Sequence, residues 1–177
     1  MKTIIVCLTL SLFTAKSQGQ APNPAINKKQ LAPLSYLIGN WKGTATVQQR
    51  GGATLVVNQE EKISWELDSL LIKIEGIGKD PVTQKKNFHA YALISYNPIT
   101  QQLGMKSYTH EGYQTDAYFK MLGTNQFEWG FDLPANRGKI RYTITLSETE
   151  RTWVEKGEFS ADGNTWYPTI SMNLVKQ

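Results

Sequence analysis

From Trp41 to Val175, apolar side chains recur at every second position in ten runs, divided by turn residues and with no helical crossover between them. A period of two places one set of side chains on one face of a strand, so this chain must build a sheet with one buried face. The clearest runs are Phe127, Trp129, Phe131, Leu133 and Ile140, Tyr142, Ile144, Leu146, each alternating with polar residues or glycine. The run from Leu70 fades at Gly76 and Gly78. Asn97-Pro98-Ile99-Thr100 and Asp162-Gly163-Asn164 are strong turn signals. Either a sandwich or an up-and-down barrel satisfies such a pattern. Long strands that follow one another as simple hairpins favour the barrel, because closure removes the exposed edges. The expectation is an all-β chain, an antiparallel up-and-down barrel of about ten strands with a short N-terminal helical turn.

Before the strands, three segments differ in character. Residues 1–17 read as a signal peptide: Lys2 is the positive start, Ile4 to Phe13 the apolar core, and Ala15 and Ser17 the small residues before a cleavage at Gln18. Export to the periplasm or outside the cell follows as an expectation. The apolar run is shorter than the roughly 20 residues that a membrane-spanning helix needs, and no later stretch approaches that length. Cys7 is the only cysteine and stands too early for a lipid-attachment site, so the mature chain relies on a packed core instead of disulfides. Residues 18–30 read as a flexible leader, and Leu31 to Ile38 as one or two helical turns that stop at Gly39. Residues 31–177 then form one barrel domain. Without Lys2 and Lys16 the 19 basic residues become 17 against 15 acidic, a net charge of +2. With no basic cluster larger than Lys85-Lys86, a nucleic-acid partner is not expected.

The residue inventory is poor in conventional catalytic groups. His89 and His110 are the only histidines, no metal-binding spacing occurs, and there is neither a nucleophile elbow nor a phosphate loop. His110 reads as an outward-facing residue near a barrel mouth, and His89 also reads outward unless Tyr91 and Leu93 mark the interior. The aromatic residues say more. Trp41, Trp65, Trp129, Trp153 and Trp166 fall on the apolar phase of their runs, as do Tyr96, Phe119, Phe127 and Tyr142. They either fill the barrel or line a cavity, because ten strands enclose more room than the eight that side chains just fill. Glu61 and Glu155 stand on the same inward phase. A carboxylate is costly in a dry core but useful in a wet cavity. The other reading of each is a bulge or strand end where the phase slips outward. Thr115 and Tyr142 add hydroxyls to the same interior.

The run Leu37-Ile38-Gly39-Asn40-Trp41-Lys42-Gly43-Thr44 resembles the Gly-x-Trp-x-Gly opening of lipocalin-like barrels. With Ala92 to Pro98, Glu111-Gly112 and Ser160 to Trp166, the layout is similar to bacterial lipocalin-like domains and nitrobindin-like barrels of the calycin group, over roughly residues 34–175. The resemblance implies a ten-stranded barrel with Trp41 plugging one end, and a cavity. Two departures stand out. Only Gln48 to Ala53 separates the first two strands, so the helical lid of fatty-acid-binding barrels has no counterpart and the mouth is expected to be open or loop-covered. Nitrobindin-like proteins take their haem ligand from the C-terminal part, where this chain has no histidine, so haem is not expected and no cofactor is implied.

The functional expectation is an exported barrel for a small hydrophobic or amphipathic molecule. Its candidate contacts are Trp41, Glu61, Trp65, Tyr96, Thr115, Phe119, Trp129, Tyr142, Trp153 and Glu155. Two alternatives stay open: a cavity isomerase or lyase that uses a carboxylate of raised pKa, and a filled barrel that serves a protein partner. Neither ligand identity nor oligomeric state is legible.

Overall fold

A computed structural model describes residues 23–49 and 51–177. The expected signal peptide and the start of the leader lie outside the described residues. Ten strands follow in order: β1 (Gly39–Gln48), β2 (Thr54–Glu66), β3 (Leu71–Lys79), β4 (Lys86–Asn97), β5 (Gln102–Thr109), β6 (Gln114–Gly123), β7 (Gln126–Asp132), β8 (Lys139–Ser147), β9 (Thr152–Ser160) and β10 (Tyr167–Lys176). Each pairs antiparallel with its neighbours in sequence, and β10 returns to β1, so the sheet closes as an up-and-down barrel. Closure leaves no unpaired edge, as the hairpin series predicts.

The register defines the interior. Pairing Trp41 with Glu61, Glu61 with Gly76, Ile74 with Ala92 and Met105 with Ala117 carries one phase around half the circumference. Pairing Phe119 with Trp129, Trp129 with Tyr142 and Ile144 with Glu155 carries it around the rest. No irregularity interrupts β2 beside Glu61, so the bulge reading of that residue falls. Against expectation, β3 does not fade at its glycines; it runs through Gly76 and Gly78 to Lys79, because the ladder is made by backbone groups that glycine also carries.

The helical segment also departs from the sequence reading. An α-helix, α1 (Pro24–Leu31), begins inside the stretch read as flexible leader, and a 3₁₀ segment continues it over Ala32–Leu37. Asn23 caps the helix by accepting from the Ala25 N–H, and Pro24 opens it with a preset φ. Tertiary contacts then hold it. The Asn27 amide donates to the Tyr96 carbonyl at 3.1 Å, and Lys28 pairs with Asp68 at 2.6 Å.

This segment closes one end of the barrel. Leu31, Leu34 and Leu37 are at most 1 % exposed and pack on a core with Trp41, Ile63, Ile72, Ile94, Phe119, Phe127, Trp153 and Leu174. Each such leucine contributes roughly 1.5–3 kcal/mol by leaving water. Trp41 is fully buried beneath the segment, with its indole N–H donating to the Leu37 carbonyl at 2.7 Å. The chain enters β1 through Gly39, whose φ of +131° favours glycine. Trp41 is thus the plug that the opening motif implies. Among the described residues the opposite end carries no α-helix, only the 3₁₀ turn Pro134–Asn136 between β7 and β8, and no helix is long and apolar enough to cross a membrane.

Candidate functional site

Inward side chains change character along the barrel axis. Next to α1 they are large and sealed. Higher up, β3 to β6 contribute Gly76, Ala90, Ala92, Ser107, Thr115 and Ala117, all small. Facing this wall from β7 and β8 are Trp129 and Tyr142, stacked at 3.9 Å between centroids and 10° between planes. Ala92, Ser107, Thr115, Trp129, Tyr142 and Ile170 are only partly buried although they point inward. Small residues thus line one wall of the interior and large aromatic ones the other.

Two carboxyls project into this interior. Glu155, 6 % exposed, accepts the Trp129 indole N–H on Oε1 at 3.2 Å and the Trp153 indole N–H on Oε2 at 3.1 Å. Trp153 meets Trp41 edge-on at 5.6 Å, which ties Glu155 to the plug. Glu61, 8 % exposed, accepts from the Gln59 amide on Oε1 at 2.7 Å. Its carboxylate lies over Gly76, where a Cβ would come within 2.9 Å of both oxygens; Gln59 lies likewise over Gly78. The paired glycines of β3 thus make room for the two polar side chains of β2.

Both carboxyls are held by neutral donors, and among the described residues neither has an ion-pair partner. Burial therefore dominates their titration. It pushes Glu61 up to about 8, opposed by the Gln59 hydrogen bond and reinforced by the charge of Glu155. It pushes Glu155 up to about 7 against the two indole donors. The Tyr142 hydroxyl rises to about 12, through burial and then through Glu155.

All ten residues singled out from the sequence lie on the inward register. Five of them meet: Glu155, Trp129, Trp153, Tyr142 and Trp41 are joined by hydrogen bonds and ring contacts, while Glu61 is held by Gln59. Thr115 lies across the interior, paired with Ser107. Trp65 and Phe119 belong to the hydrophobic core, Phe119 stacked on Phe127, and Tyr96 meets α1 through its carbonyl. Sequence reasoning missed Gln59, the glycines of β3 and Thr109. The glycines were visible as an alternate pair opposite Gln59 and Glu61, a signal for close approach inside a strand. Thr109 occupies the same cross-strand row as Glu61, through Gly76 and Ala90, and its buried hydroxyl has no hydrogen-bond partner.

The histidines face outward as expected. His89 hydrogen-bonds Glu75 at 3.0 Å, Tyr91 donates to the same oxygen at 2.9 Å, and the His89 N–H donates to His110 Nδ1. These bonds, that from His89 foremost, hold the Glu75 carboxyl below its ordinary range. Among the described residues no group of three His, Cys, Asp or Glu side chains is placed to share a metal ion. Outside the same strands a groove of about 420 Å³ runs past Lys42, Glu60, Lys62 and Glu75. Trp41 and Glu61 also border it, beside the Lys42–Glu60 ion pair.

Fold and site together define a closed ten-stranded up-and-down barrel with an acid-bearing, aromatic-walled interior. No family model and no curated protein matches the chain by sequence. Solved structures do. Rv2717c from M. tuberculosis superposes with a TM-score of 0.62 at 10 % identity, covering 83 % of this chain and 96 % of that one. The S-type phycobiliprotein lyase CPES from Guillardia theta superposes with a TM-score of 0.55 at 10 % identity, covering 87 % and 94 %. At this identity the likeness shows the fold, and at that level the calycin resemblance of the sequence holds.

Proposed function

We propose that this protein is an exported binding barrel whose interior takes up a small, partly apolar molecule through the end away from α1. The observation that carries this reading is the pair Glu61 and Glu155, buried on the inward face without a charged partner. A filled structural core gains nothing from two such groups, whereas a ligand site uses a few convergent polar groups in an apolar wall. The Trp129–Tyr142 stack supplies contact area, and the small residues of β3 to β6 supply room. The signal-peptide pattern of residues 1–17 supports export, and the barrel likeness supports a ligand without naming one.

Native mass spectrometry of the protein purified from its own compartment tests the reading. The expected result is added mass that leaves on denaturation. A bare chain that also fails to take up any apolar probe would contradict it. The Glu155 carboxyl, poised at about 7, favours one second reading, a cavity isomerase or lyase with that group as acid or base. An ordinary carboxylate titration of Glu155, followed by NMR of labelled glutamate, would remove that alternative.

A further inference from the structure

The polar groups of the interior are unbalanced in a way that specifies the ligand. Glu155 uses one lone pair on each oxygen for an indole N–H, and Glu61 uses one oxygen for Gln59. An ionised carboxylate offers about four acceptor sites, so most of this acceptor capacity is free. Glu61 Oε2 has no hydrogen-bond partner among the described residues although the side chain is more than nine-tenths buried. The Thr109 hydroxyl in the same row is also unpartnered. For the ionised carboxylates, the unmet demand is for donors.

Charge is unbalanced in the same sense. Around Glu61, β1 presents Trp41, Gly43 and Ala45, and β3 presents Ile74, Gly76 and Gly78, none of them ionisable. Around Glu155, β8 presents Tyr142 and Ile144, and β10 presents Met172 and Leu174. Beyond these, the register puts Lys176 on the inward phase beside Trp41. Its ammonium is turned to the Tyr36 carbonyl at 2.7 Å and to the ring of Tyr36 at 4.0 Å, so it does not reach the carboxyls. Once ionised, the two acids share an interior in which, among the described residues, no cation pairs with them. A neutral ligand would leave that charge as it is, and an acidic ligand would add a third.

We propose that the interior is built for a ligand carrying a protonated amine on a flat apolar body, with the amine on Glu61 and Glu155 and the body against Trp129 and Tyr142. This rests on the binding reading above and names the ligand class within it. An ammonium supplies both the charge and the donors that the carboxyls lack, through charge-assisted hydrogen bonds. The aromatic wall adds attraction for the same cation. Because burial holds both carboxyls partly protonated in the empty barrel, seating an amine expels protons. Amine affinity therefore rises with pH between about 6 and 8.5.

Three indoles of one ring and different charge test this: tryptamine, the neutral tryptophol and the anionic indole-3-acetate, titrated calorimetrically at pH 6 and 8.5. N-phenyl-1-naphthylamine, a neutral apolar probe, serves as the control for the cavity itself. At pH 8.5 tryptamine is expected to bind at least about tenfold tighter than tryptophol, a preference of about 1.4 kcal/mol, with indole-3-acetate weakest. Lowering the pH to 6 should shrink that preference, and Glu61→Gln should abolish it while the naphthylamine still binds. Glu61→Gln is the safer variant, since the Gln59 amide can turn to meet the new amide; Gly76→Ala, which crowds the same carboxyl from the backbone, provides a second. Tryptophol or indole-3-acetate binding as tightly as tryptamine overturns the proposal and leaves the binding barrel standing. The naphthylamine binding while all three indoles fail does the same. If neither the indoles nor the naphthylamine binds, the binding reading itself falls.

Discussion

Gly76 shows how a residue that seems to weaken a strand can define a site. Its missing Cβ leaves the space that the Glu61 carboxylate occupies, and Gly157 does the same for the Tyr142 ring, which would lie 2.6 Å from an added Cβ. The two sites differ in what must yield. At Gly76 the obstacle is the far end of a side chain, so Gly76→Ala is expected to stay within about 1 kcal/mol of the parent in urea denaturation yet break the Gln59–Glu61 hydrogen bond. At Gly157 the obstacles are the Tyr142 ring and the Ile170 methyl, both packed. Gly157→Ala is expected to cost about 1–3 kcal/mol by overpacking. An equal, negligible loss in both variants would contradict this account. Alternation put Glu61 and Glu155 on the inward phase but left a bulge or strand end open, and the unbroken pairing of β2 is what decides it for Glu61. What they touch was not legible, because Trp129 and Glu155 lie 26 residues apart and meet only through the barrel register.

Among the elements, the strands were legible and α1 was not. Period-two alternation holds through the body of each strand, and the register shifts at Gly78/Lys79, Met121/Gly123 and Pro168/Ile170 fall near strand ends. Helix α1 lacks the corresponding helical stripe: Leu31 is its one buried residue, and the rest of its hold on the barrel comes from Asn23, Asn27 and Lys28. Capping and docking, not periodicity, make it a helix, so composition reads as a leader. Its 3₁₀ continuation carries the energetic weight. Leu34→Ala, at a fully buried position on the plug, is expected to cost about 2–5 kcal/mol. Ile26→Ala, on a side chain that is 37 % exposed, should change stability by no more than about 0.5 kcal/mol. Comparable losses in the two variants would show that α1 and its continuation do not act as the barrel's plug.

At the scale of the whole molecule, the two interior acids tie stability to pH. Their folded pKa values, about 7 and about 8, lie above the ordinary 4.5, so the folded chain binds more protons than the unfolded one between those limits. Their contribution is fully present below about pH 4.5 and is lost as pH rises through 7 and 8, at about 1.4 kcal/mol per pH unit for each group. Surface acids such as Asp80 and Asp162, held low chiefly by backbone N–H donors, act in the opposite sense and only as pH falls through their folded values. The midpoint of thermal unfolding is therefore expected to be higher at pH 5.5 than at pH 8.5, with a smaller difference in Glu61→Gln. An unchanged difference in that variant would show that Glu61 is not the titrating group. The central claim remains that the upper interior is a space that a small molecule fills. The direct measurement is a fluorescence titration with N-phenyl-1-naphthylamine of the parent chain and of Ala92→Trp, which fills the small-residue wall opposite Trp129 and Tyr142. Saturable binding by the parent and its loss in the folded variant is the predicted result. Equal binding by both would place the probe outside the barrel and contradict the account.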